Sequence, residues 1–275
     1  MLFHAIGKDI EELRLLMKYD TLQAMEAKTG QPHANAMIFA AGLGTRLQPL
    51  TLDIPKALVE VNGVSLLEIL IRKLLRSGFT EIAINVHHHA RKIRTFLHEH
   101  NYFNARIHLS DETDLLLDTG GGLKNAAPFL TGDYPFLLHN VDVLSSIDVK
   151  ALWHFHLNSP GSLAVLAVNS RPSDRQFLVN ESNTLCGWVN HVTGARIMAR
   201  EETGLRQLSF CGIHSVSPRI FSLLEEEGVF SIINLYLRLA ASETITLLPC
   251  DQDDWIDVGT PANLESASKD LDQYL

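Results

Sequence analysis

The residues best suited to chemistry form a compact string, Ala40-Ala41-Gly42-Leu43-Gly44-Thr45-Arg46-Leu47, followed by Gln48-Pro49-Leu50-Thr51 and then Pro55-Lys56. Small residues straight after a buried strand let backbone N–H groups approach an anion with no Cβ in the way. Arg46 adds a planar fork suited to phosphate oxygens, and Lys56 is near enough in sequence to fold back as a second cation. A plain glycine turn with surface Arg and Lys is the alternative. No Gly-Lys-Ser/Thr follows, so the string is not a P-loop, and Gly42-x-Gly44 lacks the third glycine of the dinucleotide fingerprint. Two distant carboxylates are further candidates: Asp142, at the end of the strand-like PFLLHNVD, and Asp257, in WIDVGTP. Strand ends are where open α/β sheets hold ligands, and two carboxylates meeting there would make a hard oxygen site for Mg²⁺. Taken singly, each could equally be a helix cap or a solvated loop carboxylate. A third element runs from Ser110-Asp111-Glu112 to Leu117-Asp118-Thr119-Gly120-Gly121-Gly122, where glycines opening a helix could bring amides against a base or ribose, or simply loosen the helix start.

The elements that must position these groups follow from periodicity. Residues 1–36 carry Ile10, Leu13, Leu16 and Met17 at helical spacing before a Gly30-Gln31-Pro32 break, and read as a helical N-terminal extension. From Met37 to residue 275 short apolar runs alternate with amphipathic stretches (MIFA, LLEILIRKLLRSG, EIAINV, ARKIRTFLHEH, ARIHL, PFLLHNVDVL, DVKALWHFHL, SLAVLAV), which predicts an α/β domain with a mainly parallel sheet flanked by helices. Residues 170–215 break into shorter β-like pieces and predict a small antiparallel extension. Helical stretches near 217–226 and 231–241, a strand TITLLPC and a last helix opened by Thr260-Pro261 complete the domain. His154 and His156 read as one solvated helix face. His87-His88-His89 reads as loop or helix-entry packing, because consecutive residues cannot all face one ion.

The whole string from Ala40 to Lys56 resembles the sugar nucleotidyltransferases, or NDP-sugar pyrophosphorylases, with their Ala-Ala-Gly, x-Gly-Thr-Arg-Leu, x-Pro-Leu-Thr and Pro-Lys pattern. The resemblance covers roughly Met37 to Leu271 and implies a Rossmann-like nucleotidyltransferase fold. It implies that Ala40, Ala41, Gly42, Gly44 and Thr45 cradle NTP phosphates, that Arg46 and Lys56 neutralise charge around the transferred group, and that Asp142 and Asp257 bind Mg²⁺. Glu112, Thr119, Gly120 and Gly121 fall where the family reads the base, and Leu117-Asp118-Thr119-Gly120-Gly121-Gly122 is similar to the Leu-Glu-Thr-Gly-Gly-Gly of N-acetylmuramate 1-phosphate uridylyltransferases. Phe210-Cys211-Gly212-Ile213 is similar to the strand bordering the sugar pocket, with Gly212 and Asn190 as candidate sugar contacts. There are departures: Cys186-Gly187-Trp188-Val189-Asn190 stands where many relatives have a Glu-Lys-Pro lysine, and Asn140-Val141-Asp142 replaces the common Gly-Asp.

Composition sets the outer bounds. The 275 residues are 46% hydrophobic and 20% charged, with no apolar run long enough to span a bilayer and no export signal among Asp9, Glu11 and Glu12, so the expected location is the cytoplasm. A net charge of −9 argues against duplex nucleic acid as a partner and leaves small phosphorylated substrates open. Cys186, Cys211 and Cys250 are odd in number and widely spaced, which suits buried thiols better than a disulfide or zinc framework. The expected activity is in-line transfer of a nucleotidyl group from an NTP, UTP first, to a sugar 1-phosphate such as N-acetylmuramate 1-phosphate. A mannose-1-phosphate guanylyltransferase and a catalytically silent NDP-sugar-binding subunit are the two alternatives, the second prompted by the absent lysine.

Overall fold

The computed structural model of the chain describes residues 34–274. The helical extension expected over 1–36 lies outside the described residues except for its last three, and two of these, Asn35 and Ala36, open the first strand. That strand, β1 (Asn35–Phe39), is buried on both sides: Ala36 and Ile38 join one apolar cluster, Met37 and Phe39 the other. Side chains alternate across a strand, so a strand covered by helices on both faces must be apolar nearly throughout, and MIFA is.

A small hairpin, β2 (Glu60–Val61) and β3 (Val64–Ser65), leads into helix α1 (Leu66–Arg76). The Ser65 hydroxyl accepts the Glu68 amide at 3.2 Å and starts the helix, which buries Leu66, Leu67, Ile69, Leu70, Ile71 and Leu74. Alternation continues through β4 (Glu81–Val86), α2 (Ala90–Glu99), β5 (Arg106–Asp111), α3 (Asp118–Ala126) and β6 (Phe136–Asn140). These strands lie parallel in the order β6-β1-β4-β5. Then come β7 (Val143–Ser145), α4 (Val149–Leu157), β8 (Ser162–Asn169) and the antiparallel trio β9 (Arg175–Val179), β10 (Leu185–Asn190) and β11 (Arg196–Met198). The long strand β12 (Arg206–Val216) runs antiparallel to β6, β8 and β9, and so joins the parallel half of the sheet to the predicted antiparallel extension. Helix α5 (Ile232–Leu239), β13 (Thr244–Pro249) beside β8, β14 (Trp255–Asp257) and α6 (Pro261–Lys269) finish the domain. The result is the expected mixed sheet of parallel core strands between helical layers.

Two expectations change. Residues 217–226 form only a 3-10 stretch, Pro218–Leu223, because the following Glu225-Glu226-Glu227 offers no apolar face and Glu226 is drawn to Arg238 at 2.6 Å. His156 is not solvated: Val149, Leu152, Trp153 and His156 make one buried stripe of α4 at helical spacing. Its ring nitrogens lie 2.8 Å from Ser215 Oγ and 3.0 Å from the Ser162 carbonyl, and burial pushes its pKa below the ordinary value. All three cysteines are buried and free, as expected.

Candidate active site

Parallel register assembles the site. Phe39, the last residue of β1, lies beside Asn85 of β4 on one side and Asn140 of β6 on the other, so the loops leaving all three strands start together at the carboxyl edge of the sheet. The Asn85 side chain uses this closeness. Its Oδ1 accepts the Ala40 amide at 2.7 Å and the Ala41 amide at 3.3 Å, while its Nδ2 donates to Glu112 Oε1 at 2.7 Å. The other Glu112 oxygen accepts the Leu117 amide at 3.0 Å. Burial raises the pKa of Glu112 above the ordinary value, against the pull of those two donors. Thus Ala40, Ala41 and Glu112 brace the loop from inside. The phosphate-binding amides expected from Ala40 and Ala41 are already satisfied by the chain itself.

The rest of the glycine string faces a cavity of about 160 Å³ lined by Gly42, Gly44, Thr45, Arg46, Lys56 and Asp142, with Phe39, Val141 and Gly259. Gly44 has φ +66°, and a Cβ there would sit 2.9 Å from Thr51 Cγ2 and 3.0 Å from Lys56 Cβ. The loop can therefore fold back tightly only with glycine at this point. The Thr51 hydroxyl donates to the Gly44 carbonyl at 2.7 Å, and Leu47 is fully buried beneath the turn. These contacts carry the buried Lys56 under the loop, where its Nζ is ion-paired with Asp142.

The distant aspartate arrives by a two-stranded clasp. Strand β14 pairs antiparallel with β7, setting Asp257 opposite Val143, and the Val258 amide donates to the Asp142 carbonyl at 2.7 Å. Both expected metal ligands therefore stand side by side. Arg46 Nη2 lies 3.5 Å from Asp257 Oδ2, while Asp257 Oδ1 is buried without a hydrogen-bond partner. Burial first and the neighbouring Asp142 second push the Asp257 pKa above the ordinary range, and Lys56 and Arg46 oppose them. A Cβ at Gly259 would lie 2.5 Å from both Arg46 Nη2 and Asp257 Oδ1, so a side chain there would push the tips of both groups aside. The clasp is fixed from behind by Arg171, whose guanidinium lies 3.6 Å over the Trp255 ring and donates to the Phe210 carbonyl at 2.6 Å, and by Trp255 Nε1, which donates to the Cys211 carbonyl at 2.8 Å.

Other candidates fall elsewhere. Gly120 and Gly121 both donate their amides to the Phe230 carbonyl, at 2.9 and 3.2 Å, and the Thr119 hydroxyl accepts the Ile232 amide at 3.0 Å. These residues seat the start of α5, so the base contacts expected of their amides and hydroxyl are committed to packing. In Gly121→Ala the new Cβ would lie 2.4 Å from the Gly228 carbonyl, a backbone atom. We expect that variant to lose about 1–3 kcal/mol, read as a Tm roughly 3–10 °C lower; an unchanged Tm would refute the packing role. Asn190 is drawn into a turn, its Oδ1 accepting the amides of Val192 and Thr193 at 2.9 and 3.1 Å. Gly212 sits at φ +73° where the β12–β8 register shifts, against Asn140 and Val143, and is not one of the residues lining the cavity. The sequence reading missed Asn85, Gly259 and Arg171; an amide ending the apolar run EIAINV was the one visible signal.

A cavity lined by two cations and a carboxylate, with a second carboxylate beside Arg46, at the carboxyl edge of a mixed α/β sheet, has the chemistry suited to phosphorylated ligands. Residues 35–177 match the family model described as nucleotidyl transferase. The chain is 30% identical over 235 residues to the N-acetylmuramate alpha-1-phosphate uridylyltransferase of Caulobacter vibrioides, covering 82% of this chain and 92% of that enzyme. It is 35% identical over 151 residues to the mannose-1-phosphate guanyltransferase of Hypocrea jecorina, which is 54% of this chain and 41% of that enzyme. The solved UDP-glucose pyrophosphorylase from Acinetobacter baumanii superposes with a TM-score of 0.67 over 86% of this chain and 92% of that one, at 19% identity, a likeness of fold. The chain belongs to the nucleotidyl transferase family, among its sugar-phosphate enzymes.

Proposed function

We propose that the chain transfers a nucleotidyl group from UTP to a sugar 1-phosphate, with N-acetylmuramate 1-phosphate as the acceptor, releasing pyrophosphate. The observation that carries this reading is the convergence of Arg46, Lys56, Asp142 and Asp257 around one opening. An oxygen of the sugar phosphate bonds to the α-phosphorus while the bond to the pyrophosphate oxygen breaks. The nucleophile is already an anion at neutral pH, so no general base is needed, and catalysis reduces to alignment and charge neutralisation. Lys56, held under the loop, offsets charge on the α-phosphoryl group. Arg46, on the open side, offsets charge on the departing pyrophosphate. Gly42, Gly44 and Thr45 shape the wall against which the phosphates lie.

Among the described residues no group of three His, Cys, Asp or Glu side chains is placed to hold a metal ion. Asp142 and Asp257 fit Mg²⁺ nonetheless, because that ion is ordinarily held by one or two carboxylates together with substrate phosphates, and the unpartnered Asp257 oxygen is a hard donor awaiting a cation. When bound, Mg²⁺ would supply further neutralisation of phosphate charge. The same reading places the enzyme in the cytoplasm, with its NTP supply; no described helix is long and apolar enough to cross a membrane.

The uridylyl reading draws on the Caulobacter relative, whose match spans most of both chains. A guanylyl reading with mannose 1-phosphate draws on the higher identity of the shorter match. The full set of cations and carboxylates favours a catalyst over a silent binding subunit. A pyrophosphate-release screen of UTP, GTP and dTTP against several sugar 1-phosphates is expected to show the highest kcat/KM for UTP with N-acetylmuramate 1-phosphate; best activity with GTP and mannose 1-phosphate would replace the assignment, and no release from any pair would remove it.

A further inference from the structure

A second cavity, of about 210 Å³, lies across Phe210 from the catalytic one, with Arg175, Phe177, Trp188, Phe210 and Ile233 in its lining. Strand register explains its make-up. Phe177 of β9 pairs with Trp188 of β10, Arg175 is two residues back along β9 and so shares that face, and Phe177 and Phe210 stand with ring centroids 5.8 Å apart. A row of rings links the two linings: Phe39 lines the first, Phe210 the second, and the buried His214 ring lies 6.3 Å from one and 5.2 Å from the other, centroid to centroid. Gly212, beside Asn140 and Val143, is only two residues from Phe210, within the stretch where the β12–β8 register shifts.

The lining is selective in character. Aromatic faces suit the C–H faces of a sugar, and a few placed polar groups fix orientation. Gln176, also in the lining, is internally satisfied: its Oε1 lies 3.0 Å from His191 Nε2, and its Nε2 donates to Ser209 Oγ at 3.1 Å. Arg175 is exposed and, among the described residues, forms no ion pair. On a chain of net charge −9 this is a cation left for a ligand. The reacting phosphate must lie with Lys56 and Asp142, at the other end of that row of rings, so an anion reaching Arg175 belongs to the other end of the sugar.

We propose that this second cavity receives the far side of the acceptor sugar and that Arg175 binds a carboxylate carried there, so that the chain selects an acidic hexosamine 1-phosphate over a neutral one. The proposal rests on the nucleotidyl-transfer reading above. A guanidinium meets a carboxylate through two parallel N–H···O bonds, and hydrogen bonds to charged groups are strong enough to shift affinity by about tenfold to a hundredfold.

The test compares N-acetylmuramate 1-phosphate with N-acetylglucosamine 1-phosphate, which differ by the carboxylate-bearing lactyl ether. With UTP, the ratio of kcat/KM for the acidic over the neutral sugar is expected to fall about tenfold to a hundredfold in Arg175→Ala, and to recover in part in Arg175→Lys, which keeps the charge and loses the fork. An unchanged ratio, or equal losses on both sugars, overturns the proposal while leaving nucleotidyl transfer intact. Calorimetric titration with N-acetylmuramate 1-phosphate alone supplies a readout free of turnover: weaker binding by Arg175→Ala supports the site, and equal binding, or none by the wild type, overturns it. Wild-type inactivity with every NTP and sugar would instead sink the transfer reading, with the titration still deciding the role of Arg175.

Discussion

Asp257→Asn is expected to lower kcat by at least about 10²–10³-fold while the protein melts at the same temperature as the wild type or above it. The two halves of that result have one cause. Burial and the neighbouring Asp142 disfavour the ionised form of Asp257, so ionising it costs stability. With a folded pKa above the ordinary Asp value, the cost accumulates as pH rises from that ordinary value through the raised one, and vanishes at lower pH where the group is protonated in both states. The amide variant escapes the cost and loses the charge. Thermal melts at neutral and acidic pH, run beside a pyrophosphate assay at several Mg²⁺ concentrations, check both halves; wild-type turnover would refute the proposed role of Asp257 as a metal ligand, and a lower Tm at neutral pH would refute the electrostatic account.

Asn85→Ala should behave in the opposite way, losing stability first and activity as a consequence. Truncation leaves the Ala40 amide and a Glu112 oxygen buried without partners, at about 1–3 kcal/mol each. The expected loss is about 2–5 kcal/mol, or roughly 5–15 °C in Tm for a domain of this size. The deficit should also depend on pH. Glu112 already has a raised pKa and would lose one of its two donors, so its pKa rises further; the deficit is largest where the carboxylate is ionised and narrows as falling pH protonates it. Denaturant titrations at pH 5 and pH 8 would show this narrowing, and a deficit under 1 kcal/mol at both would mean that the loop is braced by other means.

Much of this was legible because the constraint is local. MIFA had to be a strand covered on both sides, and the glycine string with Arg46 and Lys56 had to turn tightly, since short-range sterics govern both. Asp142 and Asp257 stand out in the sequence as separate strand-end carboxylates, and the resemblance pairs them, for the β7–β14 clasp that joins them depends on two three-residue strands with no strong pattern of their own. The same blindness to tertiary contact hid the packing of the glycines at 120 and 121 against Phe230 and Gly228, and misread His156, whose buried partners come from β8 and β12. Asn85 sits at the end of an apolar strand, where an isolated amide can mean solvent, a cap or a brace until the neighbouring strand ends are placed beside it.

The clasp also sets the order in which the four side chains of the proposed site are synthesised. The ten-stranded sheet draws its strands from residues 35–249, whereas the second carboxylate sits on β14, at residue 257. During synthesis every sheet strand, the loop cations and Asp142 would leave the ribosome ahead of Asp257. On the nucleotidyl-transfer reading proposed above, a polypeptide stopped short of β14 has every strand of the ten-stranded sheet and both loop cations but lacks the second carboxylate.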